Sequence, residues 1–145
     1  MSIATTGSTY WNRMVPELTV TDFVASLDFY QRILGFKILI RRENPDFVYL
    51  SLGEAQLMLE AFDPSGWNTG ELTYPLGRGI NLQIEVDDVV PILENLRVNQ
   101  IALYRSLKDN YYNIGDEEAC QREFLVQDPD GYLLRFSQYI ENTEE

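Results

Sequence analysis

Residues 128–137 read DPDGYLLRFS, and Arg135 stands in the middle of the apolar run that follows the turn. A guanidinium stays charged at any ordinary pH and can only donate hydrogen bonds. On a strand that otherwise looks core-bound it therefore needs acceptors within reach. Three other segments carry polar groups inside strand-like patterns: Glu17 in VPELTVT, Glu60 in QLMLEAF, and Asn81, Gln83 and Glu85 in INLQIEV. The chain has no histidine. That removes the usual general base, the commonest transition-metal ligand, and every Ser-His or Cys-His nucleophile pair. Cys120 is the single cysteine, so it has no partner for a disulfide or a zinc knuckle within the chain. Catalysis, if any, falls to carboxylates, tyrosines, lysines or that one thiol.

The elements that must position these groups follow from periodicity. Val15 to Thr21 alternates as a strand, and Asp22 sits at an N-cap position before FVASLDFYQRIL, whose Phe23, Leu27, Tyr30 and Leu34 share a helical face. Gly35 ends that helix, and FKILIRR, DFVYLSL and QLMLEAF read as three strands, the last two joined by the Gly53-Glu54 hairpin signal. The turn-rich stretch 63–78, DPSGWNTGELTYPLGR, separates this unit from a second one with the same order. There INLQIEV is a strand, Asp87 or Asp88 caps the helix PILENLRV with Pro91 in its first turn, and IALYRSL, REFLVQ and GYLLRFSQ follow as strands. Val20, Asp22 and Leu27 map onto Val86, Asp88 and Leu93 at one offset. Met58 maps onto Arg135 at a longer one, the difference being taken up by an inserted loop, KDNYYNIGDEEA.

The predicted fold is α+β: two β-α-β-β-β modules whose sheets curl around a cavity, with a homodimer as a natural means of closing it. A four-stranded module with one helix cannot bury its other sheet face alone. The expected division is an N-terminal arm 1–12, a single domain 13–139 (module one 13–62, linker 63–78, module two 79–139), and a frayed acidic tail 140–145.

Composition narrows the partners. Net charge is -12, from 23 acidic and 11 basic residues, which argues against nucleic acid, since phosphate contacts need clustered Lys and Arg. It would draw in a cation, although such a charge also serves solubility alone. No stretch has the length and apolarity of a membrane span and the N-terminus lacks signal-peptide character, so a cytoplasmic protein without a membrane partner is expected.

Strand alternation assigns faces. Leu18 and Val20 belong under the helix, leaving Val15, Glu17 and Thr19 on the concave side. The corresponding concave sets are Gln56, Met58, Glu60 and Phe62; Asn81, Gln83 and Glu85; and Leu133, Arg135 and Ser137. This is more polarity than a dry core tolerates, so a ligand-filled cleft is the economical reading. The alternative is an open, solvated face on which Arg135 pairs with a glutamate.

These segments carry a resemblance. VPELTVTDFVASLDFYQRILGF, INLQIEVDD and REFLVQDPDGYLLRF resemble the vicinal oxygen chelate superfamily, which includes glyoxalase I, extradiol dioxygenases, fosfomycin-resistance enzymes and bleomycin-resistance proteins. The likeness spans about Val15 to Tyr139. In the metalloenzymes of that superfamily four inward positions hold His, Glu or Gln around a divalent ion, and the resemblance places Val15, Met58, Asn81 and Arg135 there. Valine cannot coordinate, a thioether suits soft copper, and a guanidinium brings positive charge beside the cation. Glu17 and Glu60, two residues away on the same faces, could with Glu85 make an improvised oxygen site for a hard cation.

The likeness is closest to the bleomycin-resistance branch, in VP-x-LT-x-x-D, in LMLEAFDP and in REF before the DPDG turn. That branch implies a homodimer that sequesters a cationic glycopeptide antibiotic between aromatic side chains, with no catalytic residues, no metal and no cofactor. A tryptophan often found just before G-R-E-F in that branch is Cys120 here, followed by Gln121. Phe47, Tyr49, Trp67, Tyr111 and Tyr112 could stack on a flat ligand in its place, with ordinary sheet packing as the alternative for Phe47 and Tyr49. The expected ligand-binding set is thus Glu17, Phe47, Tyr49, Met58, Glu60, Trp67, Asn81, Gln83, Tyr111, Tyr112, Arg135 and Ser137. Two other functions stay open: an enzyme of the superfamily (lyase, isomerase or dioxygenase) using Glu17 or Glu60 as base with Arg135 stabilising an oxyanion, and a sensor or immunity module for another natural product.

Overall fold

The computed structural model describes residues 11–141. Its order is β1 (Glu17–Val20), α1 (Phe23–Asp28) running into a π-helical stretch (Phe29–Ile33), β2 (Lys37–Arg42), β3 (Phe47–Leu52), β4 (Ala55–Ala61), β5 (Asn81–Glu85), α2 (Val90–Val98), β6 (Arg105–Ile114), β7 (Glu117–Gln127) and β8 (Leu133–Ile140). The strands form two four-stranded sheets of the same topology, β1-β4-β3-β2 and β5-β8-β7-β6. In each, the first strand lies parallel to the last and the remaining pairs are antiparallel. This is the predicted pair of β-α-β-β-β units.

Local chemistry accounts for the helices. Asp22 is the N-cap of α1 and accepts from the Ala25 N–H at 3.1 Å. The helix then widens by one residue per turn through Phe29–Ile33, which turns Phe29, Tyr30, Ile33 and Leu34 into the core together. Gly35 follows at φ 91, in the left-handed region open to glycine. For α2 the N-cap is Val89 rather than either expected aspartate; Asp88 instead accepts from the Val90 N–H at 2.9 Å.

Leu18, Val20, Val48, Leu50, Leu57 and Leu59 from the first sheet and Ile84, Phe124, Val126, Leu134 and Phe136 from the second share one core with the helices. The helix-covered faces of both sheets thus feed one core, and the polar faces lie off it. The buried Tyr30 hydroxyl donates to Asp128 at 2.7 Å, the Tyr132 hydroxyl donates to the Thr19 carbonyl, and Asp130 accepts from the Thr21 N–H, so the DPDG turn bolts the second unit to the first. Gly131 takes φ 93, and a Cβ there would stand 2.6 Å from the Pro75 side chain.

Several expectations change. The inserted segment KDNYYNIGDEEA is not a loop: Lys108–Ile114 and Glu117–Ala119 are the ends of β6 and β7, paired across a two-residue Gly115-Asp116 turn. Gly115 at φ 69 supplies the conformation such a hairpin needs. β6 begins only at Arg105, because Ile101–Tyr104, expected as strand, leads out of α2 toward β7. Ile140, expected in a frayed tail, closes β8 opposite Cys120. Residues 1–10 of the expected arm and 142–145 of the tail lie outside the described residues. Trp11 and Asn12 of that arm are held, Trp11 edge-on against Tyr49 with ring centroids 5.0 Å apart and Asn12 by hydrogen bonds to Gln56 and Glu54.

Candidate functional site

The outward face of the first sheet is built from two cross-strand rows. Glu17, Met58 and Tyr49 lie side by side, as do Thr19, Glu60 and Phe47, with Arg42 beyond Phe47. Partial burial and the neighbouring Glu60 carboxylate raise the Glu17 pKa, against the opposing pull of Arg42. A hollow of about 310 Å³ opens there, lined by Glu17, Arg42, Pro45, Glu60, Asp63 and Trp67. Trp67 is 97% exposed, a large apolar surface free to meet a ligand. Phe47 and Tyr49 are only 2% and 4% exposed. The Arg42 guanidinium lies 4.1 Å above the Phe47 ring, and Tyr49 is covered by Trp11 while its hydroxyl donates to Gln56 at 2.6 Å. Neither ring offers a free stacking face, so sheet packing describes both.

The same rows recur in the second sheet with different chemistry. Gln83, Arg135 and Leu125 form one, and Glu85, Ser137 and Glu123 the other. Arg135 is the hub. Its Nε donates to Asn81 Oδ1 at 3.1 Å, one terminal nitrogen to Gln83 Oε1 at 3.2 Å, and the other to Glu123 Oε2 at 3.4 Å. The Glu123 side chain is 1% exposed and that of Arg135 29%. The other Glu123 oxygen accepts from Asn110 at 3.1 Å and from the Tyr112 hydroxyl. Both the buried carboxylate and its partner cation are therefore satisfied. Of the expected residues, Asn81, Gln83, Tyr112 and Arg135 meet in this one network. Ser137 lies beside it, buried, donating to Gln121 at 2.6 Å. Tyr111 stands on the other side of β6, opposite Cys120, exposed.

Glu123, Asn110 and Gln121 were missed in the sequence, though for Glu123 and Gln121 the signal was present. Phe124 and Val126 alternate into the core, which puts Gln121, Glu123 and Leu125 on the polar face with Arg135. In the alternative reading Arg135 pairs with a glutamate, and it does so here with Glu123 rather than Glu17, Glu60 or Glu85.

The donor set does not suit a divalent metal. Around the second sheet's hub the acceptor oxygens of Asn81 and Gln83 already face a guanidinium, and Met58 supplies only a thioether. Among the described residues no three His, Cys, Asp or Glu side chains are grouped to hold an ion, so the improvised site of Glu17, Glu60 and Glu85 is not assembled: Glu85 stands on the other sheet. No described helix is long and apolar enough to cross a membrane.

A double β-α-β-β-β fold with polar outward sheet faces is the architecture of a known superfamily, and comparison agrees. The profile of the Glyoxalase/Bleomycin resistance protein/Dioxygenase superfamily matches residues 12–136, and the chain belongs to it. A bleomycin resistance protein from Geobacillus stearothermophilus is 26% identical over 137 residues, covering 88% of this chain and 97% of that one. A lactoylglutathione lyase from Escherichia coli O157:H7 is 31% identical over 123 residues, covering 81% and 84%. The crystal structure of TioX from Micromonospora sp. ML1 superposes with a TM-score of 0.68 at 21% identity, over 90% of this chain and all of that one, which is a likeness of fold.

Proposed function

We propose that the protein binds a small cationic natural product of the bleomycin class and sequesters it unaltered. The observation that carries this is Arg135, locked by Asn81, Gln83 and Glu123 on the outward face of the second sheet, where the metalloenzymes of the superfamily need an anionic ligand. The binding surface combines the acidic hollow of Glu17 and Glu60, with Met58 between them and Trp67 at its rim, and the polar network of the second sheet with Asn81, Gln83, Tyr112 and Ser137. The two polar faces lie off the shared core, which supports a homodimer in which a second copy sets one face against the other. The charge of -12 draws a cationic ligand toward either half. The bleomycin resistance relative supports this reading by matching along nearly its whole length. A cytoplasmic site of action goes with it.

Isothermal titration with metal-free bleomycin tests the proposal. Binding below about 10 μM with the drug recovered intact is expected, and no heat at that concentration overturns it. A second reading, an enzyme using Glu17 as a base, is favoured by the raised pKa of that carboxyl and by the lyase relative. A bound divalent ion after chelator-free purification, or turnover of lactoylglutathione lost in Glu17→Gln, would select it.

A further inference from the structure

The orientation of the amides around Arg135 fixes the hydrogen-bonding character of the second sheet's outer face. A guanidinium has no acceptor, so the atoms of Asn81 and Gln83 facing it must be the carbonyl oxygens, Oδ1 at 3.1 Å and Oε1 at 3.2 Å. Their amide nitrogens, Nδ2 and Nε2, then point away from Arg135, and both residues are exposed. Neither nitrogen donates to another described group of the protein. Glu123, the carboxylate behind the plate, is buried and has its oxygens taken by Arg135, Asn110 and Tyr112. Of the five N–H donors of Arg135, those toward Asn81, Gln83, Glu123 and the Tyr112 hydroxyl are engaged. The Arg135 charge is met by the Glu123 carboxylate at 3.4 Å. The hub is thus rich in donors while its central charge is already offset.

We infer that Asn81, Gln83 and Arg135 form a docking plate for a neutral, carbonyl-type acceptor, such as the carboxamide of a ligand whose cationic part goes to Glu17 and Glu60. This rests on the reading of the outward faces as a binding surface, and it adds the chemistry of the second contact. The two half-sites differ: the first sheet offers the Glu17 and Glu60 carboxylates, and the second offers outward N–H donors at Asn81 and Gln83 with the Glu85 carboxylate one row away. A ligand spanning them must be cationic at one end and acceptor-bearing at the other. Negatively charged ligands are disfavoured by the field of the whole chain.

The test uses two small probes on the isotopically labelled full chain, read by NMR: nicotinamide, a neutral aromatic carboxamide, and benzylamine, a cation that only donates. Nicotinamide at about 10 mM, the weak affinity due to so small a ligand, is expected to shift the side-chain NH2 signals of Asn81 and Gln83 and the Nε–H of Arg135. Benzylamine is expected to leave the Asn81 NH2 and Arg135 Nε–H signals in place and to shift the carboxyl signals of Glu17, Glu60 and Glu85. Asn81→Asp and Gln83→Glu keep the oxygen that Arg135 needs but remove the outward NH2, and each is expected to weaken nicotinamide binding fivefold or more. Absence of the nicotinamide shifts, equal shifts from benzylamine, or unchanged nicotinamide binding in both variants would overturn the plate. Bleomycin binding that survives such a failure preserves the antibiotic reading alone, and the reverse outcome preserves the plate alone.

Discussion

The two modules answer one structural problem in opposite ways. At equivalent places on the third strand of each sheet, Phe47 and Glu123 are both nearly inaccessible, 2% and 1% exposed. Each is roofed by an arginine: Arg42 over the Phe47 ring, and Arg135 bonded to the Glu123 carboxylate. The first pairing closes its face by cation–π contact and apolar packing, and leaves Glu17 and Glu60 as the acidic features. The second places a carboxylate where a ring could stand, and so obliges Arg135, Asn110 and Tyr112 to converge on it. A repeat therefore conserves register and burial while leaving the chemistry of the buried position open. Function can diverge between halves that fold alike.

The largest expected effect is in the second half. Arg135→Met strands the Glu123 carboxylate and should cost about 3 kcal/mol in urea unfolding, whereas adding Glu123→Leu should recover most of that loss. A double variant no more stable than the single one would show that the pair is not the organising contact.

The contact between the halves comes next. Asp128 is pushed up to about 6 by burial, against the hydrogen bonds from Tyr30 and from the Tyr132 and Asp130 backbone N–H groups. A carboxyl whose folded pKa exceeds its unfolded value of 3.8 holds its proton more firmly in the folded state. Its stabilising contribution is therefore full below pH 3.8 and falls away as pH rises to about 6. Asp128→Asn, which keeps an acceptor for the backbone N–H groups, should flatten this part of the stability profile. Tyr30→Phe should cost about 1 kcal/mol at neutral pH, read from the same unfolding curves.

The helix starts sharpen the comparison further. Asp22→Ala removes the N-cap of α1 and should cost about 1 kcal/mol. Asp88→Ala should cost less, because Asp88 is one residue before the α2 N-cap and reaches only Val90. The smallest effect is expected for Arg42→Ala, about 0.5 kcal/mol by thermal melting, since an exposed cation–π contact contributes little.

Sequence alone determined much of this molecule. Alternation in ELTV, QLMLE and LLRFS placed the core and polar faces, and the repeat of Val20-x-Asp22 in Val86-x-Asp88 revealed two equivalent units, because period and offset are local properties of the chain. The same alternation named Arg135, Asn81 and Gln83 as neighbours in prospect. Only the tertiary structure decided which carboxylate meets Arg135, since Glu123 arrives from β7 through strand register that no local pattern specifies. The β6–β7 arm lay between these cases. Its polar residues read as an inserted loop, and pairing between the two strands was needed to make them a sheet. Phe47 and Tyr49 show the remaining limit. An aromatic on a polar face is free or covered according to what packs on it, and Arg42 and Trp11 reach them only once the chain has folded.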